Sequence, residues 1–120
     1  MKIAVTSNGS DLSAQVDSRF GRCEYFIIID PDTNAFDVID NKQSLDLPQG
    51  AGIQAGKTVA NANVDILITE NCGPKAFMVL ERSGIHVITG ATGTITDVVK
   101  KYKEGEFQSA KSANVDGHWM

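Results

Sequence analysis

The two cysteines of this chain each lie in a short turn together with a glycine and a cation. The first turn consists of Arg19, Phe20, Gly21, Arg22 and Cys23, and the second of Asn71, Cys72, Gly73, Pro74 and Lys75. Thiols near cations and exposed backbone N–H groups suit a soft anionic ligand, because the thiolate is favoured there and anions are attracted. The two turns therefore predict a site for a metal-sulfur species, provided that the fold brings them together.

Taken alone, the two cysteines also allow plainer interpretations. Free cysteine is often a small, inert core residue, and cytoplasmic cysteines are more often free, metal-binding or redox-active than paired in a structural disulfide. Neither cysteine is followed by an arginine at the close spacing of a phosphate-binding loop, and no histidine is adjacent to act as a base. A cysteine hydrolase therefore lacks support, while packing, redox chemistry and metal binding stay open.

Length and charge narrow the class of protein further. The 120 residues suffice for one domain with its own core. The net charge of -4 argues against a nucleic-acid surface. The first apolar run is too short for a secretory signal, and no stretch approaches the length of a membrane span. We therefore expect a cytoplasmic domain that binds neither nucleic acid nor membrane.

Apolar runs that end in turn residues predict five strands and three helices. The strands are expected at residues 3–5, 25–29, 35–40, 65–69 and 85–88. The helices are expected at residues 50–63, 74–84 and 94–105, the second beginning with Pro74 and the third with Thr94 and Asp97 as a capping box. The polar stretch 41–49 is expected to be a loop.

The order of these elements predicts an α/β fold, a single domain in which helices flank one mixed five-stranded sheet. Right-handed crossovers would make strands one, four and five parallel, and strand two would pair antiparallel with strand one. Both cysteine turns would then meet residues 7–10 and the loop of Gly90, Thr92 and Gly93 at the carboxyl edge of the sheet. Ligands bind at that edge in open α/β sheets, so the topology also favours a site there.

Of the two cysteines, Cys72 is the better candidate for a ligand. It precedes the helix that is predicted to begin at Pro74. A helix start carries partial positive charge and unpaired N–H groups, which attract anions and lower the pKa of a neighbouring thiol. We therefore expect the Cys72 thiolate to form more readily than that of Cys23.

Several separated motifs resemble one known family. They are Val-Asp-Ser-Arg-Phe-Gly-Arg-Cys-Glu-Tyr-Phe at residues 16–26, Asn-Cys-Gly-Pro-Lys-Ala at 71–76, Gly-Ile-His-Val at 84–87 and Gly-Ala-Thr-Gly-Thr at 90–94. Together they resemble the dinitrogenase iron-molybdenum cofactor biosynthesis family. That family includes carriers of the NifX and NafY type, the C-terminal part of some NifB proteins, and a small orange protein that holds a molybdenum-copper-sulfur cluster. The resemblance extends from Met1 to about Phe107.

The resemblance implies a ribonuclease H-like α/β fold and a non-catalytic protein of a nitrogenase-accessory kind. Such a protein binds, stores or hands on a metal-sulfur cluster that contains molybdenum, iron or copper, and it needs a protein donor or acceptor. The family's site maps to the Phe20-Gly21 turn and the turn at residues 73–75, with Cys72 and Cys23 as candidate metal ligands. A domain of residues 1–107 and a mobile C-terminal tail of residues 108–120, which includes His118 and Trp119, are expected.

One position departs from the family pattern. Nitrogenase-associated carriers often place a histidine just before the Phe-Gly pair, and here that residue is Arg19. Arginine attracts anions but cannot ligate a metal. The change favours either cysteine ligation or capture of an anionic cluster by Arg19, Arg22, Lys75 and backbone amides. The alternative is a regulatory protein-interaction module of the same fold that binds no metal.

Overall fold

A computed structural model describes residues 1–45 and 47–115 of the chain. The five strands are β1 (Ile3–Ser7), β2 (Tyr25–Ile29), β3 (Phe36–Asp40), β4 (Ile66–Ile68) and β5 (His86–Ile88). The helices are α1 (Lys42–Leu45), α2 (Ala51–Asn61), α3 (Pro74–Arg82) and α4 (Ile95–Lys103). His118 and Trp119 of the predicted tail lie outside the described residues. No described helix is long and apolar enough to cross a membrane.

The five strands form one mixed sheet in the order β3-β2-β1-β4-β5. β1 is parallel to β4, and β4 is parallel to β5. β2 runs antiparallel to both β1 and β3. The predicted single-domain α/β fold and the predicted strand directions are therefore confirmed, including the hairpin of β2 and β3 at one edge.

Alternating side chains of the sheet divide the core into two layers. Ala4, Phe26, Ile28, Leu67 and Val87 face α2 and α3, and both cysteines belong to this layer. Ile3, Val5, Ile27, Ile66 and Ile68 face α4 on the opposite side. Because apolar residues point to both sides, the central strands are continuous apolar runs, as expected for a sheet that helices cover on both faces.

The helices begin and end close to their predicted bounds. The Thr94 hydroxyl accepts a hydrogen bond from the Asp97 N–H at 3.1 Å, which caps α4 as the sequence predicts. α2 and α3 pack closely because Gly56 has no side chain: a Cβ there would lie 2.8 Å from Val79 Cγ1. The stretch predicted as a loop after β3 contains the single turn α1 instead. The sequence gives little signal for it, since one turn is too short to show a helical period.

Candidate functional site at the carboxyl edge of the sheet

The carboxyl ends of the parallel strands are tied together by polar groups. The hydroxyl of Thr6 in β1 donates to the Asp17 carbonyl at 2.9 Å and lies 3.0 Å from the Thr69 hydroxyl. The Thr69 N–H in turn donates to the carbonyl of Ile88 at 3.0 Å. These bonds hold the loops that follow β1, β4 and β5 at one edge of the sheet.

The two cysteine turns meet at this edge. The Phe20 N–H donates to the Asn71 carbonyl at 3.2 Å, and the Asn71 side-chain amide donates to the Ser18 carbonyl at 2.9 Å. Arg19 and Asn71 form a short parallel bridge. The predicted convergence of the two turns is therefore confirmed.

The glycine loop after β5 is hydrogen-bonded to the segments that lead into the two turns. The Gly90 N–H donates to the Glu70 carbonyl at 2.8 Å, next to Asn71. The Gly93 carbonyl accepts from the Val16 N–H at 2.8 Å. Gly90 and Gly93 have φ angles of 83° and 106°, a conformation that glycine adopts without strain. Thr92 is exposed between them, so this loop also reaches the predicted edge.

The Cys23 thiol is enclosed in a polar network inside the core. It donates to the Phe20 carbonyl at 3.3 Å, while the Asn41 amide donates to the Cys23 carbonyl at 2.9 Å and lies 3.7 Å from the sulfur. Burial, with the negative charge of Asp17 adding to it, raises the pKa of Cys23 well above its ordinary value. Cys23 is therefore a protonated thiol at neutral pH.

The Cys72 thiol is also fully buried, just before α3. It lies 3.7 Å from the Gly73 carbonyl. Burial raises the pKa of Cys72 to about 12, so the expectation that the helix start lowers it is wrong. The reason is that the loss of water around the thiolate outweighs the partial positive charge of the helix.

The cations of the site divide into two kinds. Arg19 and Lys75 are exposed beside the two turns. The Arg22 guanidinium instead donates to the carbonyls of Ser44 and Leu47, at 3.1 and 2.6 Å. Arg22 thus fastens the chain around α1 to the first turn, and capture of an anion by Arg22 stays a prediction.

Two asparagines at the site are absent from the sequence-based prediction. Asn41 holds the first turn from inside the core, and its own N–H donates to the Glu24 carbonyl at 3.0 Å. Asn114 holds the second turn from outside, where its carboxamide oxygen accepts the Cys72 N–H at 2.7 Å. Asn41 directly follows a predicted strand, which is a weak signal for a turn residue. Nothing in the sequence points to Asn114, which falls within the predicted tail.

The donor set decides what the edge can bind. Among the described residues, no group of three or more His, Cys, Asp or Glu side chains could hold a metal ion. α3 begins at Pro74, and its N-cap residue, Gly73, has no side chain that could cap the N–H groups of the first turn. The edge therefore offers exposed cations and directed N–H groups, which suit an anion better than a bare metal ion.

Comparison with known proteins gives concordant matches. The family model for the dinitrogenase iron-molybdenum cofactor matches residues 1–105. An uncharacterized protein of Methanocaldococcus jannaschii is 32% identical over 111 residues, which is 90% of each chain.

Two solved structures resemble the chain over nearly their full length. The apo form of the orange protein from Desulfovibrio gigas is 37% identical, with a TM-score of 0.93, and the match covers 95% of this chain and 96% of that one. A Thermotoga protein proposed to be of the NifB type is 30% identical, with a TM-score of 0.82 and coverage of 97% and 98%.

Proposed function

The chain belongs to the dinitrogenase iron-molybdenum cofactor family, and on that premise we propose that it carries an anionic metal-sulfur cluster, or a precursor of one, without catalysing a reaction. Membership and the likeness to the orange protein give the chain a cofactor-related binding or carrier role. The proposed ligand is a cluster that contains molybdenum, iron or copper, and another protein would donate or accept this cluster. The observation that carries the proposal is the convergence of the two cysteine turns at the carboxyl edge.

Directed donors, rather than net charge, would hold the cluster. Arg19 and Lys75 are exposed at the edge, but Asp17 and Glu70 bring negative charge to the same loops. A surplus of positive charge therefore cannot be the main attraction. The N–H groups at the start of α3 point along the helix axis and favour an anion at close range, and sulfide ligands of a cluster accept such bonds. The two cations complete this arrangement with charge-assisted contacts.

Ligation by cysteine requires the second turn to open. Both thiols are buried, and burial raises the pKa of each, so neither offers a thiolate in the closed structure. Cys72 is the better candidate because a surface side chain, Asn114, covers its loop, whereas Cys23 lies within the core. We infer that capture by N–H groups and cations comes first and that Cys72 ligates afterwards.

Anaerobic loading with tetrathiomolybdate, with and without copper, tests this function. Desalting, elemental analysis and a visible spectrum measure how much metal the protein retains. We expect stoichiometric molybdenum with a charge-transfer band. Loss of both Arg19 and Lys75, each replaced by Ala, should weaken retention roughly tenfold or more, because two charge-assisted contacts are removed.

A control with two lysines replaced far from the site distinguishes the effect of position from the effect of net charge. Lys100 and Lys101 are exposed on α4, on the opposite face of the sheet. Replacing both with Ala removes the same charge and should leave retention unchanged. If this control loses as much metal as the Arg19 and Lys75 pair, or if wild type retains none, the proposed site or function is wrong.

A second candidate function is a protein-interaction module that binds no metal. The observation that favours it is the edge strand β3, where Phe36 and Val38 remain 39% and 38% exposed. An exposed edge strand with apolar side chains can pair with another chain, although the charges of Asp37 and Asp40 oppose pairing there. Stoichiometric retention of a thiomolybdate by the protein alone would exclude the metal-free alternative.

A further inference from the structure

The segment after α4 reaches the loop that holds Cys72. We define residues 106–115 as the strap. Its Ala110 N–H donates to the carbonyl of Val87 in β5, the outer strand of the sheet, at 2.6 Å. Four residues later, Asn114 lies on the turn at residues 70–72.

Asn114 holds this turn by both its main chain and its side chain. Its N–H donates to the Cys72 carbonyl at 3.2 Å, and its Oδ1 accepts the Cys72 N–H at 2.7 Å. Its Nδ2 donates to the Glu70 carbonyl at 3.0 Å and to the Asn71 Oδ1 at 3.1 Å. The Cys72 N–H is thus occupied by an oxygen acceptor from the strap, at the edge where the proposed anion would bind.

Phe107, near the start of the strap, packs against the opposite core layer, but little apolar packing supports the polar contacts of Asn114. Asn114 is itself exposed. Ala110 and Ala113 are the partly buried apolar residues of the strap that pack against the core layer of Cys72, and alanine buries little area. A cavity of about 270 Å³ remains beside Ala110, lined by Phe77, Val87 and other residues of α3, β5 and the turn between them. Segments held mainly by exposed hydrogen bonds open at low cost.

We propose that the strap is a displaceable cover of the Cys72 loop, held closed by Asn114 and released when an anion takes over the Cys72 N–H. The anion competes with a carboxamide oxygen for the same donor. Release of the strap gives access to the Cys72 thiol. The nature of the anion rests on the proposed function, whereas the shielding of Cys72 by the strap does not.

Site-resolved alkylation tests the shielding. The full chain is treated with iodoacetamide, and the modified fraction of each cysteine is followed by mass spectrometry of digests. Asn114→Ala removes the three side-chain hydrogen bonds and should raise the alkylation rate of Cys72 about tenfold, since each bond contributes modestly. The exposed Ser112 lies in the same strap, so Ser112→Ala is the matched control and should leave the rate unchanged.

Cys23 serves as an internal reference for global opening. It is buried in the same layer, but the strap makes no described hydrogen bond to its turn. If Asn114→Ala leaves Cys72 as slow as in wild type, or accelerates Cys23 to the same degree, the strap is not a cover and the proposal is wrong.

Limited proteolysis tests the displacement by an anion. Lys111 is exposed in the strap, and tryptic cleavage after it requires the strap to leave the surface. Tetrathiomolybdate bound to wild type should speed this cleavage several-fold, and an unchanged rate at saturation would overturn displacement. If the protein retains no thiomolybdate, the proposed function fails, while the alkylation rates still decide whether the strap shields Cys72.

Discussion

The two cysteine turns have similar composition but are held in opposite ways. The first turn is fixed from inside: Phe20 packs on Phe26 with ring centroids 5.5 Å apart, and the buried Asn41 bonds to the Cys23 carbonyl. The second turn is fixed from outside by the exposed Asn114. The contacts that fix the first turn are buried, whereas those that fix the second face water. The first turn is therefore expected to stay closed, whereas the second can open.

This difference means that Cys23 and Cys72, although both buried, differ in how easily they can be exposed. Opening the first turn would expose core residues on both sides of Cys23, which costs much of the stability of the domain. Opening the second begins when the strap detaches from Cys72 and Val87, while the hydrogen bonds that join Asn71 to the first turn can stay in place. Under the proposed function the site must accept and release a cluster, so the externally held turn is the one suited to exchange.

The largest expected effect concerns the rigid turn. A Cβ at Gly21 would lie 2.9 Å from the Gly52 nitrogen and 3.0 Å from its Cα, both backbone atoms of α2. Backbone cannot move aside as a side chain can, so Gly21→Ala should lower the free energy of unfolding by about 3 kcal/mol. Urea unfolding measures this change in the free energy of unfolding. Gly90→Ala is the comparison: its Cβ meets nothing within 4 Å, and only the positive φ is strained, at a cost of about 1 kcal/mol. Equal losses would contradict the close-packing argument.

Replacing Asn41 or Asn114 by Ala should lower the free energy of unfolding to different degrees. Asn41→Ala leaves buried groups of the Cys23 turn without a partner and should cost about 2 kcal/mol of unfolding free energy. Asn114→Ala should cost about 1.4 kcal/mol, because the tenfold increase in the open fraction that we expect from alkylation corresponds to that loss of stability of the closed strap. Urea unfolding of both variants under one condition is the measurement. A larger loss for Asn114→Ala than for Asn41→Ala would reverse the comparison.

The pH dependence of stability probes the buried thiols. The pKa of Cys72 is about 12 in the folded chain against an ordinary 9.0. Between these two values the folded chain keeps the proton and the unfolded chain releases it. The contribution of Cys72 to the free energy of unfolding is therefore complete below pH 9 and is lost as the pH rises from 9 to 12. The expected slope is about 1 kcal/mol for each pH unit. Urea unfolding of wild type and Cys72→Ser at pH 7 and pH 10.5 isolates this pH-dependent contribution. Equal losses of unfolding free energy in the two proteins would refute it.

Much of the fold could be predicted because its signals are local. Continuous apolar runs such as Ile66–Ile68 indicate buried strands, and the Thr94 and Asp97 pair indicates a helix start. The strand directions then follow from general rules of connection. The single turn α1 was missed because four residues show no period. The convergence of the two turns could be predicted because it follows from the strand directions alone.

The sequence by itself determined the sheet, its two apolar layers and the edge at which the cysteine turns meet, since periodicity and connection rules act over short stretches. Only the tertiary structure decided the state of the thiols: burial, which depends on all the elements around Cys23 and Cys72, outweighs the helix start that adjacent sequence suggests. It also decided the partner of the second turn, because Asn114 lies 42 residues from Cys72 along the chain. No local pattern encodes a contact at that separation; it exists only once the sheet and α4 have placed the strap.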